Sequence, residues 1–184
     1  MKNESQLINA ATRGDANAFG QLVSLYQNRL YTAVVHVIGC HNEAEDVVQE
    51  AFVQAYLKLK TFRRNSTFYT WLYRIAFNKA MSRRRSQKLT LSMDEGRELT
   101  GNDPLDPQAQ PADEMVRQEK VQQVQAALGT LSEEFRAVMV LRELEGCDYD
   151  MIAEILEISI GTVRSRLHRA RSLMREQLKG VRQI

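Results

Sequence analysis

The run Asp148-Tyr-Asp-Met-Ile-Ala-Glu-Ile-Leu-Glu-Ile-Ser-Ile-Gly-Thr-Val-Arg-Ser-Arg-Leu-His-Arg-Ala-Arg171 decides how the carboxy-terminal part of the chain is read. Met151, Ile152, Ile155 and Leu156 recur at helical spacing behind Asp148, a residue type that accepts a hydrogen bond from the free amides of a first turn. A short turn through Ile158 and Ser159 follows. Val163, Leu167, Ala170, Met174 and Leu178 then mark the inner row of a longer helix, and Arg164, Ser165, His168, Arg169, Arg171, Ser172 and Arg175 its outer row. A short helix, a tight turn and a longer basic helix predict a helix-turn-helix, whose second helix enters a DNA major groove amino end first. Upstream, Ser132 is expected to cap a further helix, with Glu133 and Glu134 near its positive end, Phe135, Val138, Met139 and Leu141 inside, and Gly146 closing it.

Before this block the chain changes character. All three prolines, Pro104, Pro107 and Pro111, fall with Gly96, Gly101 and many acids in one stretch, and from Gln87 to Asp113 no apolar periodicity survives. That composition predicts a flexible linker. The expected organisation is an all-α chain of two small helical domains, residues 1–86 and 114–184, joined by the linker 87–113. Each is small enough for its core to be only marginally stable alone.

In the amino-terminal block Phe19, Leu22, Val23, Tyr26, Leu30, Ala33, Val34, Val37 and Ile38 follow one helical face, and Gly39 offers a left-handed stop. A second helix is expected to start at a capping Asn42, with Glu45 bonding back, and to bury Ala44, Val47, Val48, Ala51, Phe52, Ala55, Tyr56 and Leu59. Its other face mixes Asp46 and Glu50 with Val53 and Leu57. Such a stripe belongs either to a helix buried on more than one side or to a surface that docks a partner protein. A third helix is expected from about Thr67 to Arg85, with Phe68, Leu72, Tyr73, Ile75, Ala76 and Phe77 in a wide apolar arc. Trp71, Arg74, Asn78, Ser82 and Arg85 form the narrower face. Trp71, Tyr69 and Tyr73 are either core aromatics or flat rings for unstacked bases; Asn78 suits a base edge and the arginines suit phosphates. The preceding loop, Arg63, Arg64, Asn65 and Ser66, suits either a splayed nucleotide or the capping of the helix.

The formal net charge of +2 hides a segregation. Residues 1–90 hold 13 bases against 6 acids, 91–130 hold 3 against 8, 131–157 hold 2 against 8, and 158–184 hold 7 against 1. Basic blocks separated by acidic sequence fit a polyanion binder, because phosphates neutralised by Lys and Arg release condensed counterions. A basic run alone is equally a solvated helix face.

A chain of 184 residues with 43% apolar content reads as an ordinary globular protein, neither disordered nor fibrous. The longest strongly apolar run, Ala33 to Ile38, is interrupted by His36 and falls far short of the roughly 20 residues a bilayer span requires, so no membrane insertion is expected. Met1 to Ala10 lacks the pattern of a secretory signal; a cytoplasmic location follows, with Cys40 and Cys147 as thiols. There is no glycine-rich phosphate loop and no nucleophile elbow, and His36, His41 and His168 have no relay spacing, so catalysis is not expected. His36, Cys40 and His41 fall short of a ligand set, and neither a metal nor a cofactor is expected.

Three runs then carry a resemblance. Glu45-Asp-Val-Val-Gln-Glu-Ala-Phe-Val-Gln-Ala-Tyr56, Ser66-Thr-Phe-Tyr-Thr-Trp-Leu-Tyr-Arg-Ile-Ala-Phe-Asn78 and Gly161-Thr-Val-Arg-Ser-Arg-Leu-His-Arg-Ala-Arg171 resemble, in order, the extracytoplasmic-function sigma factors of bacterial RNA polymerase, close to the sigma-E type of the sigma-70 family. The resemblance covers both blocks and leaves the linker and the first dozen residues unmatched. It implies an alternative sigma that binds core RNA polymerase and directs it to promoter DNA. Docking to the polymerase clamp helices would fall on Asp46, Gln49, Glu50 and Val53. Reading and opening of the minus-ten element would fall on Arg63, Arg64, Asn65, Ser66, Trp71, Arg74 and Asn78, and reading of the minus-thirty-five duplex on Thr162, Arg164, Ser165, His168 and Arg169. An anti-sigma factor that buries both DNA faces is implied as a further partner.

Overall fold

The computed structural model describes residues 3–93 and 122–181, and among these all regular structure is helical. Helix α1, Glu4–Thr12, is too short for its periodicity to stand out in the sequence, yet it buries Leu7, Ile8, Ala10 and Ala11 and packs on α2. Helix α2, Ala16–Ile38, starts where the Asp15 carboxylate accepts from the Ala18 amide at 3.0 Å and stops at Gly39, whose φ of 82° is the left-handed turn expected there. Helix α3, His41–Lys58, starts earlier than its composition suggests. Cys40 holds the N-cap backbone and Asn42 lies inside the first turn, because Gly39 has already reversed the chain and leaves one residue as connection. The expected inner row of α3 is buried except Tyr56, which stays exposed beside Phe19 at a ring separation of 5.0 Å.

A 3-10 turn, Leu59–Thr61, leads into the polar loop, and helix α4, Phe68–Met93, opens with the Thr70 amide donating to Thr67 Oγ1 at 3.1 Å. Helix α4 runs past Arg85 and past the boundary expected at residue 86. No proline or glycine interrupts the chain before Gly96, so nothing removes a donor from the ladder there. The rest of the expected linker, through Asp113, lies outside the described residues.

The carboxy-terminal half begins with helix α5, residues 122–130, followed by α6, Glu133–Met139. Ser132 stands at the N-cap with an extended backbone but makes no side-chain cap bond. Instead of running straight to Gly146, α6 widens into a π turn, Val140–Leu144, in which the Glu145 amide reaches back to the Val140 carbonyl at 3.0 Å. Helix α7, Tyr149–Leu156, is capped by Asp148, which accepts from the Met151 amide at 2.8 Å. Glu157 turns the chain at φ 54°, and α8, Ile160–Val181, begins with the Thr162 amide donating to Ser159 Oγ at 3.1 Å. Val163, Leu167, Ala170 and Met174 are buried as the spacing requires, while Leu178 is exposed because α8 has passed the edge of the core.

Helices α1 to α4 pack as one bundle, and α6 and α7 pack on α8 as the second. The two bundles also meet. Helix α7 lies along α4, and α6 with its π turn lies against α2. A buried arginine stitches this seam: Arg136, 5% exposed, donates to the Leu128, Gly129 and Leu131 carbonyls of its own half at 2.7, 2.7 and 3.1 Å, and to the Val37 carbonyl of α2 at 3.0 Å. A guanidinium suits this place because it satisfies carbonyls left over at helix ends and meets the negative end of α2.

Candidate nucleic-acid interface

The exposed face of α8 is defined by subtraction. Its inner row is used by the core, and its side of mixed polarity is used by ion pairs: Arg166 reaches Glu134 at 2.8 Å and Arg171 reaches Glu143 at 2.7 Å. Arg171, expected in the outer row, is therefore a buttress between α8 and the π turn. What stays exposed is Arg164, Ser165, His168 and Arg169, with no ion pair to the two arginines among the described residues. Thr162 is half-buried, its hydroxyl 2.8 Å from that of Ser159, so it stiffens the entry of the helix as well as bordering the face. Two exposed guanidinium groups beside short polar side chains on the first turns of a helix match the donor set that reads guanine edges and phosphates in a major groove.

The other candidate surface is a groove between α3 and α4, walled on one side by Glu157, the residue that ends α7. It brings Trp71, Arg74 and Asn78 together, three of the residues the sequence singles out. Asn78 is exposed and Arg74 half-exposed, with its Nε 4.0 Å from a Glu157 carboxylate oxygen. Trp71 differs from the open stacking ring that its position on the narrow face suggests. It is 6% exposed and lies against Phe62 and Phe68 at ring separations of 5.2 and 5.8 Å, so it forms the wall of the groove. At the loop, Arg63, Arg64 and Asn65 are exposed and Ser66 half-buried. Arg64 adopts a left-handed φ of 58° and donates to the Asn9 side chain, which ties the loop to α1.

Tyr69 and Tyr73 are no stacking platforms either. Both are buried and face the seam, where the Glu145 carboxylate, 6% exposed, enters from the end of the π turn. It accepts from Arg29 Nε at 2.9 Å and from the Tyr69 hydroxyl, and the Tyr73 hydroxyl lies 3.1 Å from the carboxylate and 2.9 Å from the Arg29 carbonyl. Arg29 Nη2 adds a bond to the Glu145 carbonyl at 2.9 Å, and the guanidinium sits 4.0 Å from the centre of the Tyr69 ring. Burial, with Glu145 close by, pushes both phenols well above their ordinary range. Sequence reasoning misses Glu145 because its partners stand 116, 76 and 72 positions away and no local pattern joins them. The same seam holds Cys147, a free thiol that burial raises to about 11, and the His36 ring of α2 bonded to Gln125 of α5.

On α3 the acidic half of the mixed stripe is already engaged. Asp46 and Glu50 take Arg83 at 3.2 and 3.0 Å, and Glu50 also takes the Lys79 ammonium. The bond from Lys79 and the charge of Arg83 hold the Glu50 carboxyl below its ordinary range. These acids thus align α3 with α4. Gln49 and Val53 stay exposed, Val53 at 61%, and they continue into Leu57 at 74%. An apolar ridge edged by fixed acids is a surface that burial in a partner would stabilise.

Two family models match the chain, sigma-70 region 2 over residues 22–90 and sigma-70 region 4 over residues 121–174. The RNA polymerase sigma-H factor of Pseudomonas aeruginosa is 37% identical over 183 residues, covering 97% of this chain and 95% of its own length. The ECF RNA polymerase sigma-E factor of Escherichia coli K12 is 38% identical over 170 residues, 90% of this chain and 88% of its own. Among solved structures, the sigma factor RpoE of Bartonella quintana in complex with the anti-sigma factor NepR superposes with a TM-score of 0.73 at 28% identity, covering 88% of this chain and 96% of that one. The chain belongs to the extracytoplasmic-function sigma factors of the sigma-70 family. It is a promoter-specific transcription initiation factor.

Proposed function

We propose that the two surfaces divide the work of promoter recognition. The exposed face of α8, Thr162, Arg164, Ser165, His168 and Arg169, reads the minus-thirty-five element as duplex. The loop Arg63 to Ser66 with Trp71, Arg74 and Asn78 opens and reads the minus-ten element. The ridge of α3 around Asp46, Gln49, Glu50 and Val53 docks core RNA polymerase. The amino-terminal domain ends with α4, the residues after it link it to the carboxy-terminal domain that starts before α5, and the protein acts in the cytoplasm by binding, without catalysis of its own. An anti-sigma factor is the natural regulator, as the Bartonella relative is seen with one.

The observation that carries this reading is the exposed Arg164 and Arg169 above a buried row of Val163, Leu167 and Ala170. Covalent linkage of the two surfaces raises the local concentration of the second DNA contact once the first has formed, so weak contacts combine. Extruding a base costs a few kcal/mol, which the groove must offset. The test is run-off transcription with purified core polymerase. Transcripts should depend on this protein, and a protein that never associates with core ends the proposal.

A further inference from the structure

Arg164, His168, Arg171 and Arg175 recur at intervals of four, three and four, so the chain sets Arg171 on the same outer row of α8 as the residues proposed to read duplex. Seven residues of helix place it about 10 Å along the axis from Arg164, close to the width of a major groove, about 12 Å. A free guanidinium there borders the groove, where a small tilt of the helix brings it to a phosphate. The tertiary structure takes Arg171 out of that position. Its Nε and Nη2 both donate to Glu143 Oε1, at 3.0 and 2.7 Å, the carboxylate reaching α8 from the π turn. The bond from Glu143 raises the Arg171 guanidinium above its ordinary range against the lowering effect of burial, and the charge of Glu143 and the nearby Tyr149 reinforce it. Arg171 is 43% and Glu143 45% exposed, so the pair lies within reach of a phosphate and is no large source of stability. Its effect is on charge: a phosphate that approaches Arg171 must displace a carboxylate and face its repulsion. Arg166 is met in the same way by Glu134 at 2.8 Å.

We propose that Glu143 is a positioning residue for sequence discrimination: it withholds Arg171 from the DNA backbone, so that duplex binding by α8 depends on Arg164 and Arg169 rather than on phosphate contacts that every sequence offers. This rests on the reading of α8 as the duplex-binding helix. Phosphate contacts add affinity without sequence information. Where base contacts fix the register, α8 is not free to tilt and Arg171 stays at the edge of the groove. On an unmatched duplex nothing fixes the register, and the protein slides and tilts until its free cations meet phosphates. A released Arg171 therefore strengthens unmatched binding more than matched binding. The carboxylate on the π turn prevents this by offsetting the charge at its source.

The experiment measures fluorescence anisotropy of the full chain on a duplex that the wild-type protein selects from a randomised library and on a scrambled version of it, from about 50 to 200 mM salt. Glu143→Gln should bind the scrambled duplex about fivefold tighter, and its plot of log affinity against log salt should steepen by about 0.9, the mark of one more phosphate neutralised. The selected duplex should gain less than about twofold, so the ratio between the two falls. Glu143→Asp keeps the charge and should stay near wild type, and adding Arg171→Gln to Glu143→Gln should return scrambled binding and its salt slope to wild-type values. Unchanged scrambled binding in Glu143→Gln overturns the proposal, as do equal gains on both duplexes or a gain that survives Arg171→Gln. If Glu143→Gln loses its helical circular dichroism, Arg171→Gln alone decides: a wild-type salt slope supports the proposal, and a slope shallower by about 0.9 means that Arg171 already meets phosphate and overturns it. Selected-duplex binding that survives both Arg164→Ala and Arg169→Ala defeats the underlying reading of α8, an outcome separate from those of Glu143.

Discussion

On α8 the polar side chains Arg164, Ser165, His168 and Arg169 stand clear of the protein above a buried row, whereas on α4 the aromatic side chains are spent on packing, Trp71 as a wall of the groove that Arg74 and Asn78 line with it. Helix α8 is amphipathic in the simple sense, with one face inside and one outside. Helix α4 has neighbours on more sides: α3 and α2 within its own bundle and α7 across the seam. A helix whose partners, here α6 and α7, share one face leaves its outer face free for a ligand, while a helix with three partners around it can serve a ligand only through the gaps between them. The difference leaves α8 with a ready surface and confines access to α4 to the groove beside α3.

The harshest way to break this comparison is at the seam. Arg136→Leu strands four carbonyl bonds in a buried place and should cost about 3 kcal/mol or more, read as a drop in the denaturation midpoint. A near-wild-type midpoint would mean that the seam is not part of the folded unit. On the ready surface, Arg164→Ala and Arg169→Ala should each weaken minus-thirty-five-dependent transcription by about tenfold or more, since a good base contact discriminates by about 1 to 3 kcal/mol. Neither should change the midpoint, because both side chains are exposed. Asn78→Ala should reduce promoter opening several-fold, as judged by permanganate reactivity, with little change in closed-complex formation. Equal losses in both assays would remove Asn78 from the groove's chemistry.

The smallest effect concerns pH. Burial holds the His36 ring below its ordinary 6.5, against the opposing influence of Gln125 and Glu145 and with His41 reinforcing it. The neutral ring is therefore the folded form. Its contribution is complete above about pH 6.5 and is lost as the pH falls from there through the lower folded value. Chemical denaturation between about pH 7.5 and 5.5 should show stability falling on the acid side, and His36→Asn should flatten that slope.

Much of the fold was legible because local rules and burial agreed. The rows of α2, α3, α7 and α8, the stop at Gly39 and the cap at Asp148 all follow from residue type and spacing. The exposed arginines of α8 were legible for the same reason. For Trp71, Tyr69 and Tyr73 the sequence left core and stacking roles open, because helical spacing places an aromatic on a face without saying what covers that face, and packing resolved them as buried. Asn42 misled as a cap because the choice belonged to the geometry left by Gly39.

By itself the sequence determined an all-α chain with a basic recognition helix, since periodicity, caps and charge act over a few residues and need no knowledge of distant partners. Only the tertiary structure decided which charges are available. It engaged Arg166, Arg171, Asp46 and Glu50 in helix-to-helix pairs and left Arg164 and Arg169 exposed. It also drew Glu145 across 72 to 116 positions into a pocket made by Arg29, Tyr69 and Tyr73. The physical reason is that a buried charge is settled by every donor that reaches it, and those donors are assembled only when the helices pack.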